Sequence, residues 1–170
     1  TLRECVKLTD GGIVYGYKVN DPRAFGVVEF QENGLATSIE EKPLAPKSQY
    51  AVTGLYFYDN DVSNYAKSLT KSNRNELEIT ALNNIYLNNN KLRVELLGRT
   101  FIWKDMGTIN DLANATSVVR DLQHNQGYMI ACIEEIAFNN QWIDSECLNK
   151  IAHDYKNTIY GEYLNTLVQN

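Results

Sequence analysis

The feature that most constrains this chain is the run Ala51-Val52-Thr53-Gly54-Leu55-Tyr56-Phe57-Tyr58, apolar and aromatic along almost its whole length. A surface strand alternates apolar and polar residues, so a continuous run implies a central strand covered on both faces. Gly54 within it marks a place where another group approaches the backbone closely. The rest of the fold must supply that cover. The 170 residues can build one proper core, and 44% are apolar, as in an ordinary globular domain.

The chain changes character near residue 108. Before it, strand patterns dominate. Ile13 to Val19 is rich in β-branched and aromatic residues and ends at the turn signal Asn20-Asp21-Pro22. Val27 to Phe30 and Ala36 to Ile39 flank Gln31-Glu32-Asn33-Gly34, and Asn-Gly gives the positive φ of a β-hairpin. Pro43 should stop the second hairpin strand. Asn60 or Asp61 can cap a short helix to about Leu69, and 76–89 places Leu77, Ala81, Leu82, Ile85 and Tyr86 on one helical face. Leu92 to Leu96 alternates like a strand, and Thr100 to Trp103 reads as another.

After Thr108, a plausible N-cap, a long helix is expected to about His124 with Leu112, Ala115, Val119 and Leu122 inward. Shorter helices follow at 134–139, after Asp144 or Ser145 with Leu148, Ile151, Ala152 and Tyr155 inward, and at 158–168. The expected architecture is α/β: a mixed sheet with a β-hairpin over 1–107 and a helical appendage over 108–170. The strands are too apolar to stand alone, and no βαβ units precede them. The sequence also lacks an initiator Met, so the chain is expected to be part of a longer one.

Net charge is −5, which argues against a non-specific nucleic-acid binder. No apolar run is long enough to cross a membrane. Cys5, Cys132 and Cys147 are odd in number and widely spaced, giving neither a zinc pattern nor a disulfide framework, and a reducing cytoplasm is the simplest setting. His124 and His153 lie far apart in polar helical surroundings and read as surface residues.

Several segments in order resemble the C-terminal half of glucose-1-phosphate thymidylyltransferases. They are Phe25-Gly26-Val27-Val28-Glu29-Phe30, Glu40-Glu41-Lys42-Pro43, Tyr50 to Tyr58, Asn75-Glu76-Leu77-Glu78-Ile79-Thr80, and Trp103-Lys104-Asp105-Met106-Gly107-Thr108. Cys132 to Ala137 and Tyr160 to Leu164 match the family's last helices. The resemblance implies the second half of a Rossmann-like nucleotidylyltransferase domain. The implied reaction joins dTTP and glucose 1-phosphate to give dTDP-glucose and pyrophosphate.

In that reading Lys42 binds the sugar phosphate and Glu41 accepts sugar hydroxyls. Gly26 and Val52 offer backbone groups, Tyr56 and Trp103 line the sugar pocket, and Arg74 sits near the site. Asp105 is a Mg²⁺ ligand. Arg99, Glu134, Glu135 and Ile136 match a second, regulatory nucleotide site, and homo-oligomers are implied. The family's glycine-rich triphosphate loop is not in the sequence, so the chain on its own is expected to be inactive and to need the N-terminal half of the domain.

Each residue also has a plain structural reading. Glu41-Lys42 can be a charged strand end, and Asp105 to Thr108 a strand-to-helix turn whose Asp and Thr cap the next helix. Gly26 and Gly54 can be bulge glycines, and Tyr56 and Trp103 core aromatics. Glu134 and Glu135 can be solvated residues favoured by a helix N-terminus. Phe25, Asn75, Ala81, Lys104 and Met106 depart from the family pattern. They favour a rival reading, a non-catalytic sugar-phosphate-binding or oligomerisation module.

Overall fold

The computed structural model describes residues 2–72 and 74–169. The chain divides into two compact units, Thr1–Trp103 and Lys104–Asn170. The first holds α1 (Leu2–Cys5), β1 (Gly12–Lys18), β2 (Gly26–Phe30), β3 (Ala36–Glu41), β4 (Tyr50–Tyr58), α2 (Val62–Ser68), α3 (Ile79–Asn88) and β5 (Leu92–Leu96). Its five strands form one mixed sheet in the order β3-β2-β4-β1-β5. Only β1 and β5 run parallel; the other pairs are antiparallel.

The β2–β3 hairpin turns at Asn33-Gly34 as its sequence dictates. Gly34 has φ 81°, and Asn33 Oδ1 accepts from the Leu35 amide at 2.9 Å. The hairpin tip then reaches β5: Gly34 O accepts from the Val94 amide at 2.8 Å, and Leu35 bridges Arg93. Val14, Val28, Ala36, Ile39, Leu92 and Val94 thus face one core, which α3 closes with Leu82 and Tyr86.

The apolar run does become the central strand, but only Ala51 in it is fully buried. Leu55 and Phe57 share the second face with Cys5, Leu8, Ile13, Tyr15 and Leu97, to which α1 contributes Cys5. Gly54 is a bulge residue with φ 83°. The β1–β4 register jumps there, from Val14 opposite Tyr56 to Gly16 opposite Val52. A Cβ at Gly54 would meet nothing within 4 Å, so its backbone angle and not a close neighbour explains the glycine.

Two expected elements differ. The helix foreseen from Glu76 begins at Ile79, and Leu77 is 60% exposed instead of facing the core. A turn intervenes: the Ser72 amide donates to Glu76 O at 2.9 Å, and Asn75 takes φ 61°. Thr100 to Trp103 is not a strand; side chains hold it instead, through Tyr17 Oη to Phe101 O at 3.1 Å and Trp103 Nε1 to Thr53 O at 3.1 Å. Asp61 stands at the N-cap of α2 but makes no side-chain cap.

The second unit contains α4 (Ile109–Gln126), α5 (Ile133–Asn139), α6 (Ser145–Asp154) and α7 (Ile159–Gln169). Thr108 and Asp111 form a reciprocal capping box on α4, and Asp144 caps α6 by accepting from the Cys147 amide at 2.8 Å. The unit's core is Cys132, Leu148, Ala152 and Leu164. Gly161 is required there, because a Cβ would lie 2.2 Å from Tyr155 O. The expected inward stripe of α4 is not buried: Leu112 is 54% and Val119 39% exposed. Polar residues cover most of that helix, leaving a narrow apolar stripe. Tyr155, expected inward on α6, is also 46% exposed. No described helix is long and apolar enough to cross a membrane.

The buried carboxylate of Asp59 joins three elements of the first unit. Its oxygens accept from the Gly11 amide at 2.6 Å, Tyr86 Oη at 2.8 Å and the Asp61 amide at 3.1 Å. Burial raises its pKa, but these bonds and the Lys91 charge together hold it below the ordinary value. Its contribution is therefore complete above the unfolded pKa near ~4 and is lost as pH falls through the lower folded value. Asp59→Ala is expected to cost on the order of 3 kcal/mol in urea denaturation at pH 7. Asp59→Asn should flatten the loss of stability that the parent chain shows below about pH 4.

Candidate sugar-phosphate site

The end of the hairpin gathers most of the residues singled out in the sequence. Gly26 opens β2 directly opposite Glu41 at the end of β3, and Val27 pairs with Ala51, next to Val52 on β4. A Cβ built on Gly26 would lie 3.3 Å from Glu41 Oε2, 3.7 Å from Thr80 Oγ1 and 3.7 Å from Val52 Cβ. The bare backbone of Gly26 thus forms the floor of a niche walled by a carboxylate, a hydroxyl and an apolar side chain.

Glu41 is held in place. Buried Thr80, at the start of α3, donates to its Oε2 at 2.7 Å. Its Oε1 faces Arg74 Nη2 at 3.8 Å, beyond hydrogen-bond range, so that oxygen keeps acceptor capacity. Arg74 is oriented by Glu78 through a 3.0 Å bond from Nε. Glu78 is held below the usual carboxylate range by hydrogen bonds from Ser72 and Arg74, and the charges of Arg74 and Lys42 add to this. Burial and then the negative charge of Glu41 raise the Tyr56 phenol, so Tyr56 stays a neutral hydroxyl donor. Its ring stacks on Tyr58 with centroids 5.9 Å apart.

Lys42 is exposed and has φ 46°. That left-handed conformation is strained for a lysine, and the more so directly before Pro43. Its amide donates to Phe25 O at 2.9 Å, which fixes the turn and directs the chain away from the sheet. Trp103 packs edge-on to Phe25 at 5.0 Å and tilts against Tyr17 at 5.9 Å. Phe25, one of the departures from the family pattern, therefore supplies a ring that positions the indole.

The structure thus brings together Gly26, Glu41, Lys42, Val52, Tyr56, Arg74 and Trp103 within the first unit. Asp105 lies in the second unit and is exposed. Its Oδ2 would be 2.9 Å from a Cβ at Gly107, a contact that this exposed side chain could relieve by turning. No cluster of three His, Cys, Asp or Glu side chains suited to a metal occurs among the described residues. Arg99 is an exposed turn residue of the first unit. Glu134, Glu135 and Ile136 open α5, with Ile136 47% exposed. The two carboxylates are not simply solvated: Glu134 accepts from Tyr160 Oη, and Glu135 from Tyr163 Oη at 2.7 Å.

Sequence reasoning missed Thr80 as the anchor of Glu41, and buried Asn83, whose Oδ1 accepts from Tyr58 Oη at 2.7 Å. Asn83 lies one turn after Ile79 and one residue after Leu82, inside the buried stripe of α3, and that position was the available signal.

Comparison with known proteins identifies the family. The nucleotidyl transferase sequence profile matches residues 2–121, and the chain belongs to that family. More particularly, it is similar to proteins named glucose-1-phosphate thymidylyltransferase. It is 48% identical over 169 residues to the one from Neisseria meningitidis, covering 99% of this chain and 59% of the relative. It is 48% identical over 159 residues to that of Mycobacterium tuberculosis, covering 94% of this chain and 55% of the relative. A crystal structure of a Bacillus anthracis protein described as a candidate glucose-1-phosphate thymidylyltransferase, in complex with sucrose, matches 71% of this chain and 48% of its own. Its TM-score is 0.61 at 42% identity. The chain therefore spans little more than half the length of its relatives.

The strain at Lys42 gives a stability test. A glycine tolerates φ 46° and an alanine does not. Lys42→Gly is expected to be about 1 kcal/mol more stable than Lys42→Ala in urea denaturation.

Proposed function

We propose that the first unit binds a sugar 1-phosphate for nucleotidyl transfer, with glucose 1-phosphate and dTTP as the substrate pair. The observation that carries this reading is the Glu41 carboxylate, pinned by Thr80 over the bare backbone of Gly26, with the Lys42 ammonium next in sequence. A sugar offers hydroxyls and needs acceptors close to an unobstructed backbone. A phosphate needs a compact cation. Glu41 and Lys42, adjacent in sequence at the hairpin end, would supply the two.

In the proposed reaction a phosphate oxygen of the sugar phosphate attacks the α-phosphorus of dTTP. The bond to the β-phosphate breaks, and pyrophosphate leaves with the electron pair. Such a transfer depends on positioning and charge neutralisation. Lys42 holds the nucleophilic phosphate, Glu41 takes sugar hydroxyls through Oε1, and Gly26 and Val52 offer backbone groups. Tyr56 and Trp103 wall the sugar, and Arg74 keeps Glu41 in register.

A Mg²⁺ ion would lower the charge on the reacting phosphates. Asp105 is a donor of the right hardness for it, and Mg²⁺ commonly takes one or two carboxylates together with substrate phosphate oxygens and water. Assembly into a homo-oligomer, a cytoplasmic setting and a regulatory nucleotide site at Glu134, Glu135 and Ile136 belong to the same proposal. Exposed Ile133, Trp142 and Ile159 support an assembly.

Isothermal titration of the 170-residue chain with glucose 1-phosphate, glucose and inorganic phosphate tests the reading. Glucose 1-phosphate should bind more tightly than either part. Lys42→Ala should weaken it about tenfold or more, and Glu41→Gln should reduce the gain from the sugar. Equal binding of glucose 1-phosphate and inorganic phosphate, unaffected by either substitution, would sink the proposal.

A further inference from the structure

The second unit contains a cavity of about 470 Å³ between the C-terminal part of α4 and α7. That volume is ample for a small ring compound. The cavity owes its shape to the end of α4. Gly127 takes the left-handed conformation at φ 69° and its amide closes on Gln123 O, so the chain folds back. Gln123 Oε1 then accepts from the Ile130 amide at 3.0 Å, which pins the returning segment and places Tyr128 and Met129 in the wall.

The chemistry of the lining is uneven. Arg120 and His124 come from α4 four residues apart, on one helical face. Ile159 and the ring of Tyr163 come from α7, together with a single acid, Glu162. Arg120 has only a weak neighbour in Asp121, at 3.5 Å. Tyr163 is a fixed wall: its hydroxyl donates to Glu135 at 2.7 Å. Burial and that bond push its pKa up to about 12, so the phenol stays neutral at physiological pH. The core of the unit, around Leu148 and Leu164, does not account for an arginine and a histidine lining one cavity with an aromatic wall.

We propose that this cavity binds a small aromatic anion, a flat ring bearing a carboxylate or a phosphate at one end and a hydrogen-bond donor at the other. The anionic group meets Arg120 and His124, because Glu162 repels it from the α7 side. The ring lies between Tyr128, Ile159 and Tyr163 as an offset or edge-on partner. The donor faces the Glu162 carboxylate. This site is separate from the Glu41–Lys42 niche and does not depend on how that niche is used.

Two-dimensional amide NMR of the intact 170-residue chain provides the test. The probes are 4-hydroxybenzoate and 4-hydroxyphenyl phosphate, with phenol lacking the anion and acetate and inorganic phosphate lacking the ring. At least one hydroxyaryl anion should shift the amides of Arg120, Gly127 to Met129 and Ile159 to Tyr163. Whichever of the two binds identifies the charged group. Phenol, acetate and phosphate should bind at least about tenfold more weakly. Arg120→Gln and Tyr128→Ala, each checked for folding by its own spectrum, should each weaken binding about fivefold or more. The proposal is overturned if both hydroxyaryl anions leave these amides unmoved. It is also overturned if their shifts map to residues 1–103, or if both folded variants bind as the parent does.

Discussion

The first unit depends on the junction at Asp59. One carboxylate joins the loop before β1, the N-cap of α2 and the last turn of α3 through Gly11, Asp61 and Tyr86. The backbone reinforces it. The Asp59 amide donates to Gly11 O at 3.0 Å, and the Gly12 amide donates to Lys91 O at 2.8 Å. Gly11 has φ 90°, and a Cβ there would lie 2.6 Å from Lys91 O, so no other residue fits without moving β5. A buried charge is tolerated only when it is well bonded, and here the bonds set the sheet register on which the niche is built. The stack of Tyr56 on Tyr58 and of Tyr58 on Tyr86, with centroids 5.9 and 5.2 Å apart, links this junction to the site.

The niche combines rigidity with local strain. Gly26 and Glu41 are register partners of a hairpin, so their spacing is a property of the strand ladder and not of a flexible loop. Lys42 leaves that ladder with positive φ before a proline. Strain of this kind persists only where surrounding structure over-determines it, and the Lys42–Phe25 backbone bond and the Phe25–Trp103 contact supply that support. The rival reading, a module that binds sugar phosphate without catalysis, draws on the same niche. The two readings part at Asp105 and the flanking Lys104 and Met106, where nucleotide chemistry would act.

Local signals were legible in the sequence and distant ones were not. Asn33-Gly34 specified the hairpin, Pro43 the end of β3, and Thr108 and Asp144 the starts of α4 and α6, because each acts within four residues. Glu41 and Lys42 stood out through resemblance to a family motif. The bond from Thr80 to Glu41 spans 39 residues, and that from Gly11 to Asp59 spans 48. No periodicity encodes either. Of the two readings of Gly54, close approach and bulge, the pairing of β1 with β4 decides for the bulge, since a bulge appears only when two strands are paired. Thr100 to Trp103 had the composition of a strand, but its contacts are side-chain anchors. Leu77 matched the helical period of α3, yet the turn at Asn75 holds it outside the helix.

In the proposed function Glu41 and Lys42 form one recognition unit for a sugar phosphate. A crystal structure of the chain with glucose 1-phosphate tests it most directly. The phosphate should lie within ion-pair distance of Lys42 Nζ and a sugar hydroxyl should donate to Glu41 Oε1, with the Thr80–Glu41 bond kept. A sugar phosphate bound away from the hairpin end, or one that leaves Glu41 and Lys42 untouched, would contradict it.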